Sequence, residues 1–104
     1  MYKDNQDRAR LCILYGEPKG ATFLLRERHN TIGRDGRNII VLGDEQISNK
    51  HAAISFADGS YWIEDFNSRN GVYVNGTRIS RRERLFNRSL IKLGSTILRF
   101  ETNS

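Results

Sequence analysis

The chain is poor in the residues that bind metals or form cross-links. Its 104 residues include one cysteine, one proline, one tryptophan and two histidines. Cys12 has no second cysteine with which to form an internal disulfide, and one cysteine with two histidines, His29 and His51, makes no metal-ligand cluster. We therefore expect no metal and no cofactor, and we interpret Cys12 as a small packed residue.

Long apolar runs are also missing. No apolar stretch has the length of a membrane span, and the N-terminus lacks the pattern of a signal peptide. These absences predict a cytoplasmic protein without a membrane partner, or a nuclear one if the source is eukaryotic. The only stretch with helical character, residues 80–87, is too short and too rich in arginine to predict a helix.

Short apolar segments separated by turn residues make up most of the sequence. Alternation is clearest after His51, where Ala52, Ile54 and Phe56 fall on one face of a predicted strand. Strands are predicted at residues 11–15, 22–25, 30–33, 39–42, 52–57, 61–65, 72–74, 77–79, 90–93 and 96–101. The pattern predicts one all-β domain, either an antiparallel sandwich or a barrel.

Residues 65–76 are the most informative stretch. They contain two Asn-Gly pairs, Asn70-Gly71 and Asn75-Gly76, with the strand-forming residues 72–74 between them. Asn-Gly pairs favour tight turns because both residues tolerate positive φ. The stretch predicts a loop, a turn, a short strand and a second turn, and binding sites are often built on such loops. We expect two other polar loops, residues 33–36 and 47–51, to lie beside it.

Four short polar motifs lie in order in these loops: Gly33-Arg34, Ser48-x-x-His51, Asn70-Gly71 and Asn75-Gly76. Their order and spacing resemble those of the forkhead-associated (FHA) domain, a module that binds phosphothreonine. The resemblance runs from about residue 11 to residue 100. It implies an FHA-like sandwich of two twisted antiparallel sheets, with binding loops at one end. The predicted division is a flexible segment 1–9, a domain 10–101 and a tail 102–104.

The resemblance also implies a role for each motif residue. Phosphate would be held by Arg34, Ser48 and Asn49, and the peptide main chain by Asn70, with Arg69 beside it. The remaining motif residues would support the site structurally: Gly33, His51, Gly71, Asn75 and Gly76. These roles suit a ligand of about −1.5 to −2 charge, because a guanidinium matches phosphate geometry and a hydroxyl and an amide supply further donors.

The sequence departs from the family pattern at three places. Asn49 stands where the family often has arginine, and Lys50 is the nearest candidate to replace that charge. Val72 stands where threonine or serine is usual, and Arg88-Ser89 where Gly-Asp often occurs, which puts the turn there in doubt.

We predict a non-enzymatic phosphothreonine-binding module, monomeric as an isolated domain. Its partner would be a phosphothreonine-containing protein, such as a Ser/Thr kinase, a kinase substrate or a segment of its own parent protein. A catalytic Ser48–His51 pair is rejected, because nucleophilic catalysis also needs an orienting acid and an oxyanion hole.

Two alternatives remain open. The net charge of +5 invites an anionic partner, and five arginines form a basic cluster that could bind nucleic acid or an acidic protein: Arg78, Arg81, Arg82, Arg84 and Arg88. Nucleic acid is disfavoured, because aromatic residues do not alternate with the basic ones as a stacking platform requires. In the other alternative, the fold serves only as an oligomerisation unit.

Overall fold

A computed structural model describes residues 9–103. The segment predicted to be flexible, residues 1–9, lies outside the described residues except for Ala9, as does Ser104 of the predicted tail. Eleven strands are formed: β1 Ala9–Tyr15, β2 Thr22–Leu24, β3 His29–Gly33, β4 Ile40–Val41, β5 Ala52–Ala57, β6 Ser60–Asp65, β7 Val72–Val74, β8 Thr77–Arg78, β9 Glu83–Leu85, β10 Leu90–Leu93 and β11 Thr96–Thr102. No helix long and apolar enough to cross a membrane occurs in this part of the chain.

The strands form two sheets, which confirms the predicted all-β sandwich. One sheet has the order β2-β1-β11-β10-β7-β8 and the other has the order β4-β3-β5-β6-β9. Strand pairs are antiparallel except for β3 with β4, which are parallel, with Ile40 beside Ile32. After Gly33 the chain loops round and then runs beside β3 in the same direction as β4, and this loop carries Arg34.

A single core fills the space between the sheets. Its alternation follows the strands, so that Leu11 and Ile13 of β1 and Leu98 and Phe100 of β11 are wholly buried. On β5, Ala52 and Ile54 belong to the core and Phe56 packs against it, as the sequence predicts.

Cys12 lies on the other face of β1. It is only half-buried there, so its packing is less complete than expected.

Two of the predicted turns close hairpins. Asp58 and Gly59 have φ angles of 54° and 75° and join β5 to β6, while Asn75 and Gly76 have angles of 50° and 86° and join β7 to β8. The Asn70-Gly71 pair behaves differently, because β6 and β7 belong to different sheets. Only Gly71 has a positive φ, 83°, and the pair carries the chain from one sheet to the other.

Strand β9 is absent from the sequence prediction. It pairs with β6, with Leu85 beside Tyr61, but only Leu85 of its three residues is buried. An exposed edge strand of this kind has too few apolar residues to show an alternating pattern.

The departure at Arg88-Ser89 still makes a turn. Arg88 adopts a φ of 76°, and the Ser89 hydroxyl oxygen accepts a hydrogen bond of 2.9 Å from the main-chain nitrogen of Phe86.

Candidate functional site

The loops that follow β3 and β4 are joined through their main chains. The nitrogen of Arg34 donates to the oxygen of Ser48 at 3.1 Å, and that of Asp35 donates to the oxygen of Asn49 at 3.2 Å. The structure therefore brings the Gly33-Arg34 motif beside the Ser48-x-x-His51 motif, as expected.

Gly33 lies where these two loops approach most closely. A Cβ atom at this position would overlap the main-chain oxygen of Asn49 and would lie 2.7 Å from the side-chain nitrogen of Asn38. That Asn38 nitrogen donates to the main-chain oxygens of Asn49, at 2.6 Å, and Asp35, at 2.8 Å. A side chain at position 33 would therefore push the loops apart.

Arg34 is exposed but fixed in position. Its Nε donates to the main-chain oxygen of Ile47 at 3.1 Å, and its terminal Nη groups have no partner among residues 9–103. The neighbouring Asp35 does not neutralise it, because Arg37 pairs with Asp35 at 2.8 Å. Hydrogen bonds from Arg37 lower the pKa of Asp35 to about 2, so that carboxylate stays charged and committed to Arg37. Arg34 thus presents an uncompensated cation with several free donors.

Ser48 joins the second of these loops, which follows β4, to a third loop, which lies between β6 and β7 and carries Arg69 and Asn70. Its Oγ accepts a hydrogen bond of 3.1 Å from the main-chain nitrogen of Arg69. Because Oγ acts here as an acceptor, the hydroxyl proton is left to be donated elsewhere. Ser48 is only half-buried.

His51 is wholly buried and braces the same two loops. Its Nδ1 accepts from the main-chain nitrogen of Ser48 at 3.0 Å, and its Nε2 lies 2.8 Å from the main-chain oxygen of Gly71. Since the first partner can only donate and the second can only accept, the ring is neutral with its proton on Nε2. Neither ring nitrogen contacts the Ser48 hydroxyl, so the two side chains do not form a nucleophile–base pair.

Asn70 contacts the second loop from the third. Its side-chain nitrogen donates to the main-chain oxygen of Gln46 at 2.8 Å, which leaves its side-chain oxygen free to accept. The third loop is braced internally, because Ser68 Oγ accepts from the nitrogen of Gly71 at 2.9 Å and Asp65 accepts from the nitrogen of Ser68 at 2.9 Å. The Asn70 side chain is therefore held by Gln46, and the main chain on either side of it is fixed by Ser68 and Asp65.

Asp44 and Gln46 are supporting residues that the sequence reading missed. The Asp44 carboxylate accepts from the nitrogen of Gln46 at 2.8 Å, from the nitrogen of Ser95 at 2.8 Å and from the hydroxyl of Thr96 at 2.9 Å. Burial alone would raise the pKa of Asp44, but these hydrogen bonds outweigh it and lower the pKa. An Asp two residues before a polar residue in a loop is the signal of an Asx-turn, and it could have identified this brace.

The remaining predicted residues differ in their surroundings. Asn49 is exposed, and within residues 9–103 only its main-chain oxygen forms hydrogen bonds. The Lys50 ammonium lies 4.8 Å from the centre of the Phe66 ring. It is therefore engaged with that ring and does not replace the charge of the missing arginine in this structure. Val72 is wholly buried in the core and cannot contact a ligand.

Asn75-Gly76 does not join the three loops. The Asn75 side-chain oxygen accepts from the nitrogen of Leu90 at 2.9 Å, and its own nitrogen donates to the oxygen of Leu90 at 2.8 Å. The pair supports the β7–β8–β10 region, at the other end of β7 from Gly71.

Similarity to known proteins agrees with this geometry. The chain is 28% identical over 88 residues to the FHA domain-containing protein FhaB of Mycobacterium tuberculosis, covering 85% of this chain and 57% of that protein. It is 40% identical over 65 residues to the oxoglutarate dehydrogenase inhibitor of Corynebacterium diphtheriae, covering 62% of this chain and 46% of that protein. The chain thus spans about half the length of these two curated relatives.

Solved structures resemble the fold over nearly its whole length. The FHA domain of CT664 from Chlamydia trachomatis superposes with a TM-score of 0.86 at 34% identity, covering 93% of this chain and 99% of that one. An FHA domain from a study of phosphothreonine-dependent interactions gives 0.85 at 27% identity, covering 93% and 98%. EmbR of Mycobacterium tuberculosis, in complex with a low affinity phosphopeptide, gives 0.85 at 29% identity, covering 91% and 24%. The family model for the FHA domain matches residues 30–94, and because this is more than half of the chain, the chain belongs to the FHA domain family.

Proposed function

We propose that this domain binds phosphothreonine peptides at the three joined loops and so recruits a partner phosphorylated by a Ser/Thr kinase. One observation carries the proposal. Arg34 uses its Nε, and Ser48 its oxygen lone pair, to hold neighbouring loops, so that free donors remain on both side chains. Two donors fixed beside each other in this way suit an anion with several acceptor oxygens.

Phosphate is held by a small set of groups. The free Nη groups of Arg34 take two phosphate oxygens in the bidentate geometry that a guanidinium favours. The Ser48 hydroxyl donates to a third oxygen, and the exposed amide of Asn49 adds a neutral donor. The site has one cation where many family members have two, so its affinity for phosphate depends strongly on Arg34.

The peptide main chain is held by the third loop. The side-chain oxygen of Asn70 accepts from a ligand main-chain nitrogen, while its amide nitrogen stays on Gln46. Arg69 is exposed beside it, and its methylenes can cover apolar atoms of the ligand. This arrangement binds a peptide main chain next to a phosphate group, and a phosphopeptide offers both.

Two solved structures of similar proteins support a binding function for this domain. EmbR is described with a phosphopeptide, and the FhaA FHA domain with the intracellular domain of Rv3910. FHA domains are binding modules, and we propose that this one has no catalytic activity. A kinase, a kinase substrate or a segment of its own parent protein can each carry the phosphothreonine, and cytoplasmic location stays a prediction.

Nucleic-acid binding through the basic cluster is the weaker candidate. The guanidinium of Arg82 lies 4.2 Å from the centre of the Trp62 ring, and that of Arg84 lies 4.6 Å from the Phe86 ring. Each ring therefore has an arginine over one face, which leaves at most one face of each ring to stack on an unpaired base.

A degenerate phosphothreonine peptide library, screened against the domain and against Arg34→Ala, tests the proposal. We expect enrichment of phosphorylated peptides by the native domain and none by a folded Arg34→Ala. An oligonucleotide should fail to compete with the selected peptide. If the native domain retains no phosphopeptide, the proposal is wrong, and self-association in a sedimentation experiment would then favour the oligomerisation alternative.

A further inference from the structure

A groove runs along the side of the sandwich next to the third loop. It has a volume of about 700 Å³ and lies between the end of β6 and the segment that joins β8 to β9. Arg78, Arg81 and Arg82 line it, together with Glu64 and Asp65. Three guanidinium groups therefore share one concave surface with two carboxylates.

The groove begins beside the third loop, where Asn70 is proposed to hold the peptide main chain. A Cβ atom on Gly71 would lie 2.5 Å from Nε of Arg78 and 2.8 Å from its Cζ, so the Arg78 side chain rests directly on the main chain of the residue after Asn70. The hairpin at Asn75 and Gly76 brings Arg78 there, because it folds β8 back until Arg78 pairs with Tyr73.

The arginines of the groove keep their charge available. Among residues 9–103 the ion pairs are Arg10–Glu101, Arg37–Asp35 and Arg99–Glu101, and none of these involves the groove. Arg82 is stacked on Trp62, whereas Arg78 and Arg81 are exposed.

The carboxylates of the groove leave those two arginines free. Asp65 accepts from the main-chain nitrogen of Ser68 through one oxygen, and neither Asp65 nor Glu64 forms an ion pair with Arg78 or Arg81. The groove therefore offers two guanidinium groups without an ion pair, and Arg78 is the one that contacts the loop carrying Asn70.

We infer that Arg78 and Arg81 form a second anion subsite, which takes an acidic or phosphorylated side chain of the same peptide that carries the phosphothreonine. The inference rests on the proposed function. An extended peptide advances about 3.3–3.6 Å per residue, so a residue a few positions from the one held by Asn70 reaches the groove. A guanidinium binds a carboxylate and a phosphate through the same pair of donors, and Arg78 is the first that the peptide meets.

Matched peptides test this inference on the intact chain. A parent phosphothreonine peptide without acidic residues is compared with variants in which one Asp, or its uncharged counterpart Asn, is placed at each successive position. Binding is measured by titration calorimetry on the native domain, on Arg78→Gln, on Arg81→Gln and on Arg26→Gln. Arg26 is an exposed arginine outside the groove, so its replacement makes the same change in net charge and serves as the control.

We expect one position, or two close ones, where Asp binds about three- to tenfold tighter than Asn. Arg78→Gln and Arg81→Gln should both lose that advantage, and Arg26→Gln should keep it. Arg81→Gln should also bind the parent peptide like the native domain, whereas Arg78 contacts Gly71 beside Asn70, so each variant's Asp advantage is measured against its own affinity for the parent peptide. A phosphoserine at the same position distinguishes the two anions, because a larger gain that the same variants abolish identifies a second phosphate as the preferred group.

Three results would overturn the inference. The advantage of Asp could be absent at every position, or it could persist in Arg78→Gln and Arg81→Gln, while the parent peptide still binds and the proposed function stands. An oligonucleotide that binds the native domain but not Arg78→Gln would assign the groove to nucleic acid. If the parent peptide itself fails to bind, the proposed function falls and the inference falls with it.

Discussion

Replacement of His51 by leucine is a sharp test of how the binding loops are held. Leucine fills a similar volume but has no polar atom, so it removes both hydrogen bonds of the ring. The main-chain nitrogen of Ser48 and the main-chain oxygen of Gly71 then lose their partners together.

The expected loss of stability follows from these two groups. A buried polar group left without a partner destabilises a protein by about 1–3 kcal/mol. Gly71 is buried, while Ser48 is half-buried and recovers part of its loss from water. We therefore expect the free energy of unfolding to fall by about 2–4 kcal/mol, which a domain of ordinary stability, about 5–15 kcal/mol, survives.

Urea unfolding followed by the fluorescence of Trp62 measures this loss. His29→Leu is the matched control, because His29 is exposed and its Nδ1 makes one hydrogen bond of 2.8 Å to Ser55 Oγ. We expect the control to lose about 1 kcal/mol or less. His51→Leu should also bind a phosphothreonine peptide about tenfold more weakly, since its loops are no longer preorganised. Equal stability losses in the two variants, or unchanged peptide binding by His51→Leu, would refute the bracing role.

Three further predictions concern the phosphate contact of Arg34, the preference for phosphothreonine over phosphoserine, and the stability of the domain at acid pH. Arg34→Ala should weaken binding by about 1.5–3 kcal/mol without unfolding the domain, whereas Arg81→Ala should barely change the affinity for a peptide without acidic residues; equal losses in calorimetry would place the phosphate in the basic groove. Phosphothreonine should bind at least several-fold tighter than phosphoserine in the same peptide, because one buried methylene contributes about 0.8 kcal/mol, and Asn70→Ala should weaken both and narrow the gap; equal affinities would mean that no methyl recess exists. The lowered pKa of Asp44 means that its contribution to stability is present above the unfolded pKa of about 3.9 and is lost as pH falls through the lower folded value. The native domain should therefore be more stable than Asp44→Asn at neutral pH, with a gap that closes in urea titrations below about pH 4, and a gap independent of pH would contradict this.

Much of the fold could be predicted from local sequence patterns. Strands with one buried face, such as β10 and β11, show a period of two, and the pairs Asp58-Gly59 and Asn75-Gly76 mark turns that need positive φ. Strand β9 escaped prediction because it is an edge strand with one buried residue. Asn70-Gly71 has the same letters as a hairpin turn, but its role depends on which sheet receives the next strand, and that is set by packing across the whole domain.

The candidate site divides in the same way. Side chains that form the family motifs, such as Arg34 and Ser48, are visible in the sequence with their order. The braces behind them depend on main-chain atoms: Asn70 donates to an oxygen of Gln46, and His51 lies between a nitrogen and an oxygen of the loops. Main-chain acceptors carry no letter of their own, so Gln46 gave no signal, whereas the Asp44 carboxylate could have been found from the Asx-turn that it forms with Gln46.

Titration calorimetry with one peptide selected from the degenerate library, in its phosphorylated and unphosphorylated forms, tests the central claim most directly. We predict a dissociation constant of about 1 μM, near −8 kcal/mol, for the phosphothreonine form. A loop-borne site buries less than the ~1,200 Å² of a stable interface, which limits the affinity to this range. The unphosphorylated form should show no measurable heat of binding, because Arg34 and the Ser48 hydroxyl then face no anion. Equal affinity for the two forms, or no binding of either, would contradict the account.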